Sequence, residues 1–261
     1  MPNKSQLAPL TIFIASLAMI SLSSISLAAD APWRLNEALG LSDGLSLSGS
    51  QRLRFENIVD NVQPGTSPND QVLAIRTILN AQYRKGGFSS QLEFIDARQE
   101  LADSDSVLGN STVDSLDILQ ANIGHTFGAA NNTAVRIGRF SEDWGSRRLM
   151  ARNRFRNTIN SFDGVVVHHR GSNDSEIRFM ASQVVNRLPT DKLSLLDNEN
   201  ELDDSNSAQR FYGIHASLPN LSSRFSTELY FYALREKDTA EVNTRNRQLN
   251  TAGFRLRSAP S

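Results

Sequence analysis

Between Arg136 and Arg156 seven arginines (Arg136, Arg139, Arg147, Arg148, Arg152, Arg154 and Arg156) stand against two carboxylates, Glu142 and Asp143. A guanidinium keeps its charge at any physiological pH, and its planar fork matches carboxylates and phosphates. The chemistry open to such a segment is capture of anions by charge, and rings of arginine inside a pore select anions. The same residues also suit an outer loop whose arginines bind lipopolysaccharide phosphates or pair with nearby carboxylates. Elsewhere the chain is balanced, with a formal net charge of -1. Nothing in that balance favours nucleic acid.

Bond-making chemistry finds less support. His168 and His169 are adjacent, so on a strand their rings point to opposite faces and cannot share a metal. His125 and His215 are isolated. No G-x-S-x-G element singles out a serine nucleophile. The stretch from Asp191 to Asp204 collects Asp191, Asp197, Glu199, Glu201, Asp203 and Asp204 against Lys192. It fits either a solvated outer loop or calcium bridging to lipopolysaccharide, and its spacing is not that of an EF-hand. The expectation is therefore no catalytic residue, no assigned metal ligand and no cofactor. With no cysteine in the chain, disulfides, thiolate metal sites and a lipidated N-terminus are excluded.

The arginines need a scaffold, and the 261 residues supply one in ten stretches of period-two sequence. The first, about 45–56, sets Leu45, Leu47, Leu53 and Phe55 against Ser46, Ser48, Arg52, Arg54 and Glu56. The second, about 72–84, sets Leu73, Ile75 and Leu79 against Arg76, Asn80 and Gln82, with Ile78 out of phase. Further strands are expected from Phe88, over about 116–127 (Leu119, Ala121, Ile123 and Phe127 outward), 133–140 and 162–170, in a seventh beyond Asp174, over about 210–218, in a ninth that sets Phe225, Leu229 and Phe231 against Ser226 and Glu228, and over about 250–257. Lys85-Gly86-Gly87 has hairpin chemistry. Long connectors, at about 57–70, 97–112, 141–160, 186–207 and 235–246, alternate with short ones without exception. Outer-membrane barrels have that rhythm of short periplasmic turns and long outer loops, whereas a soluble β-sandwich has no reason to place its long loops on one side. Hydrophobic content of 39% and mean hydropathy of -0.35 are compatible with such a wall. Lys4, the apolar stretch from Leu10 to Leu27 and the small-residue site at Ala28 read as a secretory signal over 1–28, followed by one barrel domain over 29–261. Its removal takes away only Lys4 and leaves a formal charge of -2.

Val135-Arg136-Ile137-Gly138-Arg139, Asp143-Trp144-Gly145-Ser146, Arg148-Leu149, Arg154, Arg156-Asn157 and Ser161-Phe162-Asp163-Gly164-Val165 together resemble the signature segment of the bacterial alginate export porin family. Looser similarity runs from Arg52-Leu53-Arg54-Phe55-Glu56 to about Phe254. The resemblance implies a bacterial outer-membrane β-barrel of about eighteen antiparallel strands with an electropositive lumen that passes anionic polyuronates. It makes Arg136, Arg152, Arg154 and Arg156 candidates for the constriction, with Asp143 and Asp163 holding them. Arg52, Arg54, Arg76, Arg148 and, less regularly placed, Arg139 complete the expected pore lining. Strict alternation turns Arg139 outward, to snorkel at the outer rim.

Ten strands are about half of such a barrel, so the chain is expected to be a fragment of a larger protein, with a complete ten-stranded barrel as the alternative. The expected function is passive, anion-selective passage of polyuronates or smaller carboxylates. The expected partners are outer-membrane lipid and lipopolysaccharide, the anionic solute, and the barrel assembly machinery. A binding or adhesion barrel with a plugged lumen, or an outer-membrane hydrolase, would be the alternatives.

Overall fold

The computed structural model describes residues 35–128, 130–222, 225–240 and 242–258. The signal expected over 1–28 lies outside them. A short helix α1 (Leu35–Ala38) precedes the strands β1 (Leu45–Ile58), β2 (Asp70–Lys85), β3 (Phe88–Glu100), β4 (Asp114–Phe127) and β5 (Thr133–Phe140). They continue as β6 (Phe162–Arg170), β7 (Glu176–Asn186), β8 (Asp204–Leu218), β9 (Phe225–Glu236) and β10 (Gln248–Ser258), with helix α2 (Lys192–Leu196) between β7 and β8. The ten strands form one sheet in sequence order, every neighbour antiparallel, with β1 and β10 at its two edges. The all-β reading and all ten strands hold. Several strands run further than their apolar alternation suggested, β8 most of all, beginning at Asp204 rather than near 210.

One face of the sheet carries exposed apolar side chains. Leu53 and Phe55 on β1, Leu79 on β2, Ile123 on β4 and Ile137 on β5 are each more than half exposed. A soluble sandwich would bury that face against a second sheet; a lipid-facing wall leaves it bare. Strands of eight to sixteen residues suit a tilted bilayer crossing, for which about 9–11 residues are needed. Gly86 and Gly87, both with positive φ, turn β2 into β3 in two residues.

The other face is polar and covered. Residues 141–161, the connector between β5 and β6, fold back across it instead of standing out from the rim. Phe140, Trp144 and Met150 pack there with Phe162, Val166, Met180 and Tyr232. Farther along, Ile159 packs on Ile95, Ala97, Leu119 and Ile78. This explains the phase exception at Ile78: it faces inward, beneath an apolar residue of the covering segment. The outward placement expected for Leu119 does not hold. The β3/β4 register slips between Glu93 and Phe94, so that Glu93 faces Gln120 and Phe94 faces Ile118. Leu119 is the extra residue of this bulge and turns into the apolar cluster.

Candidate functional site

The site is the 141–161 segment and the inward faces that hold it. Its first turn is fixed from within. Asp143 Oδ1 accepts from the Arg152 amide at 2.9 Å, and the Trp144 amide donates to Met150 O at 3.1 Å. The Trp144 indole is almost fully buried, with Nε1 2.7 Å from Glu142 Oε2. Gly145 has φ +52°, and a Cβ there would lie 2.7 Å from His215 Nε2, so the glycine lets the chain pass close over β8.

The far end is held from the barrel wall. Arg52 donates to the carbonyls of Arg154, Phe155 and Arg156 at 2.8, 3.2 and 2.7 Å. Arg76, on the facing strand, donates to Arg156 O at 3.0 Å. Asn157 is fully buried. Its amide nitrogen lies 3.0, 3.1 and 2.8 Å from Ile75 O, Arg98 O and Thr112 O, and its Oδ1 accepts from Arg52. Arg54 donates to Phe155 O, stacks over the Phe155 ring at 4.9 Å and pairs with Glu56 at 3.0 Å.

The structure thus divides the arginines named above into holders and free cations. Arg136 pairs with Glu142 and lies over the Phe140 ring, on the inward face. Arg139 does not line the pore: it is on the opposite face of β5, because alternation along the strand separates it from Arg136, and it pairs through Nε and Nη2 with Asp163, both contacts at 3.0 Å. Arg152 donates to both oxygens of Glu93, at 3.2 and 3.0 Å, with both side chains mostly buried. Arg52 and Arg76 are spent on main-chain carbonyls. Arg147, Arg148, Arg154 and Arg156 are exposed, and of these Arg154 alone has a carboxylate nearby, Asp143 at 3.6 Å. Asp163 therefore braces Arg139, and Asp143 braces the Arg152 backbone more closely than it does the Arg154 side chain.

Burial works against the Glu142 carboxylate, but His168, Arg136 and the Trp144 indole outweigh it and hold its pKa below the usual carboxylate value. His168 Nε2 lies 3.5 Å from Glu142 Oε2. His215 is buried between the Trp144 ring, 6.3 Å away, and Glu228, 3.9 Å away. His169 meets Thr133 at 2.9 Å. Glu93 and Asn157, absent from the expected set, hold the segment directly, and Glu228, also absent from it, pairs with Arg255 at 2.8 Å. Asn157 stood in the recognised signature, which was the one signal available for it.

Two hollows flank the segment. One, about 390 Å³, lies toward β8–β10 among Trp144, Arg148, Tyr230 and Arg255. The other, about 400 Å³, lies toward β1–β3 among Arg76, Asn80, Gln91, Glu93 and Arg154. Each has an exposed arginine of the segment at its wall, Arg148 in the first and Arg154 in the second. The arrangement can attract and guide an anion.

No curated protein matches the chain. A family model described as alginate export matches residues 44–261, which takes in every β-strand and the whole covering segment, and the chain belongs to that family of outer-membrane β-barrel transport proteins.

Proposed function

We propose that the protein is an outer-membrane channel whose inward-folded segment 141–161 forms an anion-selective constriction for uronic-acid polymers or smaller carboxylates. The observation that carries this reading is the division of labour among the arginines. Arg52 and Arg76 hold the segment through its carbonyls, while Arg147, Arg148, Arg154 and Arg156 remain exposed on it. A constriction needs cations that are held in place yet not neutralised. Bracing by main-chain carbonyls leaves Arg147, Arg148 and Arg156 without a carboxylate partner among the described residues and Arg154 with only a long contact to Asp143, at 3.6 Å, which bracing by close ion pairs would not. Passage is passive, since charge attraction needs no cofactor and no covalent step. A leader over 1–28 would carry the chain out of the cytoplasm, with 29–261 as the barrel domain. The barrel assembly machinery and lipopolysaccharide would be its membrane partners.

The test is current block in a planar lipid bilayer. Short oligouronates should interrupt the ion current at micromolar to millimolar concentration, more weakly as salt rises, because screening shortens the reach of the free arginines to roughly 3 Å at 1 M. Neutral glucans of the same length should not. A chain that inserts without conducting would support the adhesion reading; equal block by neutral and acidic oligomers would remove the arginines from selection.

A further inference from the structure

We propose that Asp114, Asp117 and Asp203 form a divalent-cation site of the calcium type, which pins the 187–203 connector to the first residues of β4. One carboxylate oxygen from each residue lies within 4.8 Å of the other two. Calcium binds oxygen at about 2.3–2.6 Å, so ligands on opposite sides of one ion stand about 4.6–5.2 Å apart.

Proximity alone would prove little, since acidic groups often cluster. The second observation is the state of Asp114. It is 1% exposed, and its Oδ1 is enclosed without a hydrogen-bond partner. A buried carboxylate left so is costly unless an ion or a proton completes it. Neither nearby arginine bonds Asp114 Oδ1. Arg139 is bidentate on Asp163 and reaches Asp117 at 3.7 Å. Arg187 donates to Asn110 O and Asn160 Oδ1, both at 2.8 Å. The other two carboxylates are aimed by backbone contacts: Asp117 Oδ2 accepts from the Asp203 amide, and Asp203 Oδ1 accepts from the Leu188 amide at 2.8 Å.

The local backbone is also built for it. Residues three apart on a regular strand face opposite sides. Here Leu116, with φ +53°, sits at a second register slip, between Ile95 and Ala97, and the bulge brings Asp114 and Asp117 to one side. Asp203 arrives from 86 residues away in sequence, at the entry to β8. The sequence offered calcium only as a bridge from the acidic run 191–204 to lipopolysaccharide, and that run gives no hint of the two aspartates that Asp203 meets.

The experiment is calcium titration of the whole chain, folded in detergent micelles after chelator treatment, by calorimetry and by thermal unfolding. The expected result is saturable binding of one ion per chain and a rise in unfolding temperature with calcium. Asp114→Asn should weaken binding at least tenfold, while Glu199→Gln, an exposed acid of the same connector, should leave it unchanged. If Asp114→Asn does not fold, Asp203→Asn takes its place, with terbium luminescence of the native protein as the second readout. Absence of saturable binding to the native protein would overturn the site in favour of protonated carboxylates. Binding lost with Glu199→Gln but kept with Asp114→Asn would overturn it in favour of the exposed acids.

Discussion

Asn157→Ala should free the 141–161 segment without unfolding the wall. The asparagine amide is fully enclosed and reaches three main-chain carbonyls, two of them on β2 and β3 and one in the 101–113 connector, and its carbonyl oxygen takes a bond from Arg52. Two amide protons serve the three carbonyls, so about three hydrogen bonds are lost, at roughly 1 kcal/mol each, or about 3 kcal/mol in all. With every 1.4 kcal/mol worth a factor of ten, local opening of 141–161 should become roughly a hundredfold more frequent. The strand ladders are untouched, so amides of β2 and β3 should exchange as before. Hydrogen exchange by mass spectrometry reads both at once. Acceleration confined to 141–161 supports the docking described; rates within about twofold of native in that segment would refute it, since local opening free energies would then not depend on this contact.

Three further outcomes follow from the same contacts. Arg152→Glu should cost about 3–5 kcal/mol, because it sets a second carboxylate beside the mostly buried Glu93, whereas Arg154→Glu, with a side chain 67% exposed, should stay within about 0.5 kcal/mol. Thermal unfolding of the two variants in micelles compares them, and equal losses would contradict the division into holders and free cations. For pH, the folded-state pKa of Glu142 lies below its unfolded value of about 4.3, so its contribution is complete above that value and disappears as pH falls through the lowered one. Exchange in 141–161, after correction for intrinsic rates, should rise as pH falls below the ordinary carboxylate range, and Glu142→Gln should abolish that rise. Gly213→Val should displace the Trp144 indole, since even a Cβ at 213 would lie 2.9 Å from its Cζ3. In a Trp33→Phe background the fluorescence should shift to the red, and an unshifted spectrum would show that the ring has room.

Much of the wall was legible because a strand between lipid and a polar interior must alternate, and because glycines at 86 and 87 mark a two-residue hairpin. The outer reaches were less so. Asp204 to Gln209 reads as loop because nothing there alternates, yet the ladder to β7 continues to Asp204. Beyond the apolar belt, hydrogen bonding no longer needs a greasy face. The bulge that turns Leu119 inward leaves no mark in a period-two pattern. For the site, residue type located the cations but could not say which would remain free. Arg52 spends itself on a carbonyl 102 residues away, and a main-chain acceptor has no sequence signature. The clues that did exist were apolar residues where polar ones were due. Ile78 on a polar face, and Trp144, Met150 and Ile159 in a connector, together require that connector and face to cover one another.

The most direct test of an arginine-gated constriction is the reversal potential of the inserted channel in a potassium chloride gradient, compared with a variant carrying Arg147→Glu, Arg148→Glu, Arg154→Glu and Arg156→Glu. The native channel should favour chloride and the variant should move toward potassium, with the barrel still folded by its heat-modifiable mobility. A native channel that favours cations, or a reversal potential that does not move with four charges reversed, would contradict it.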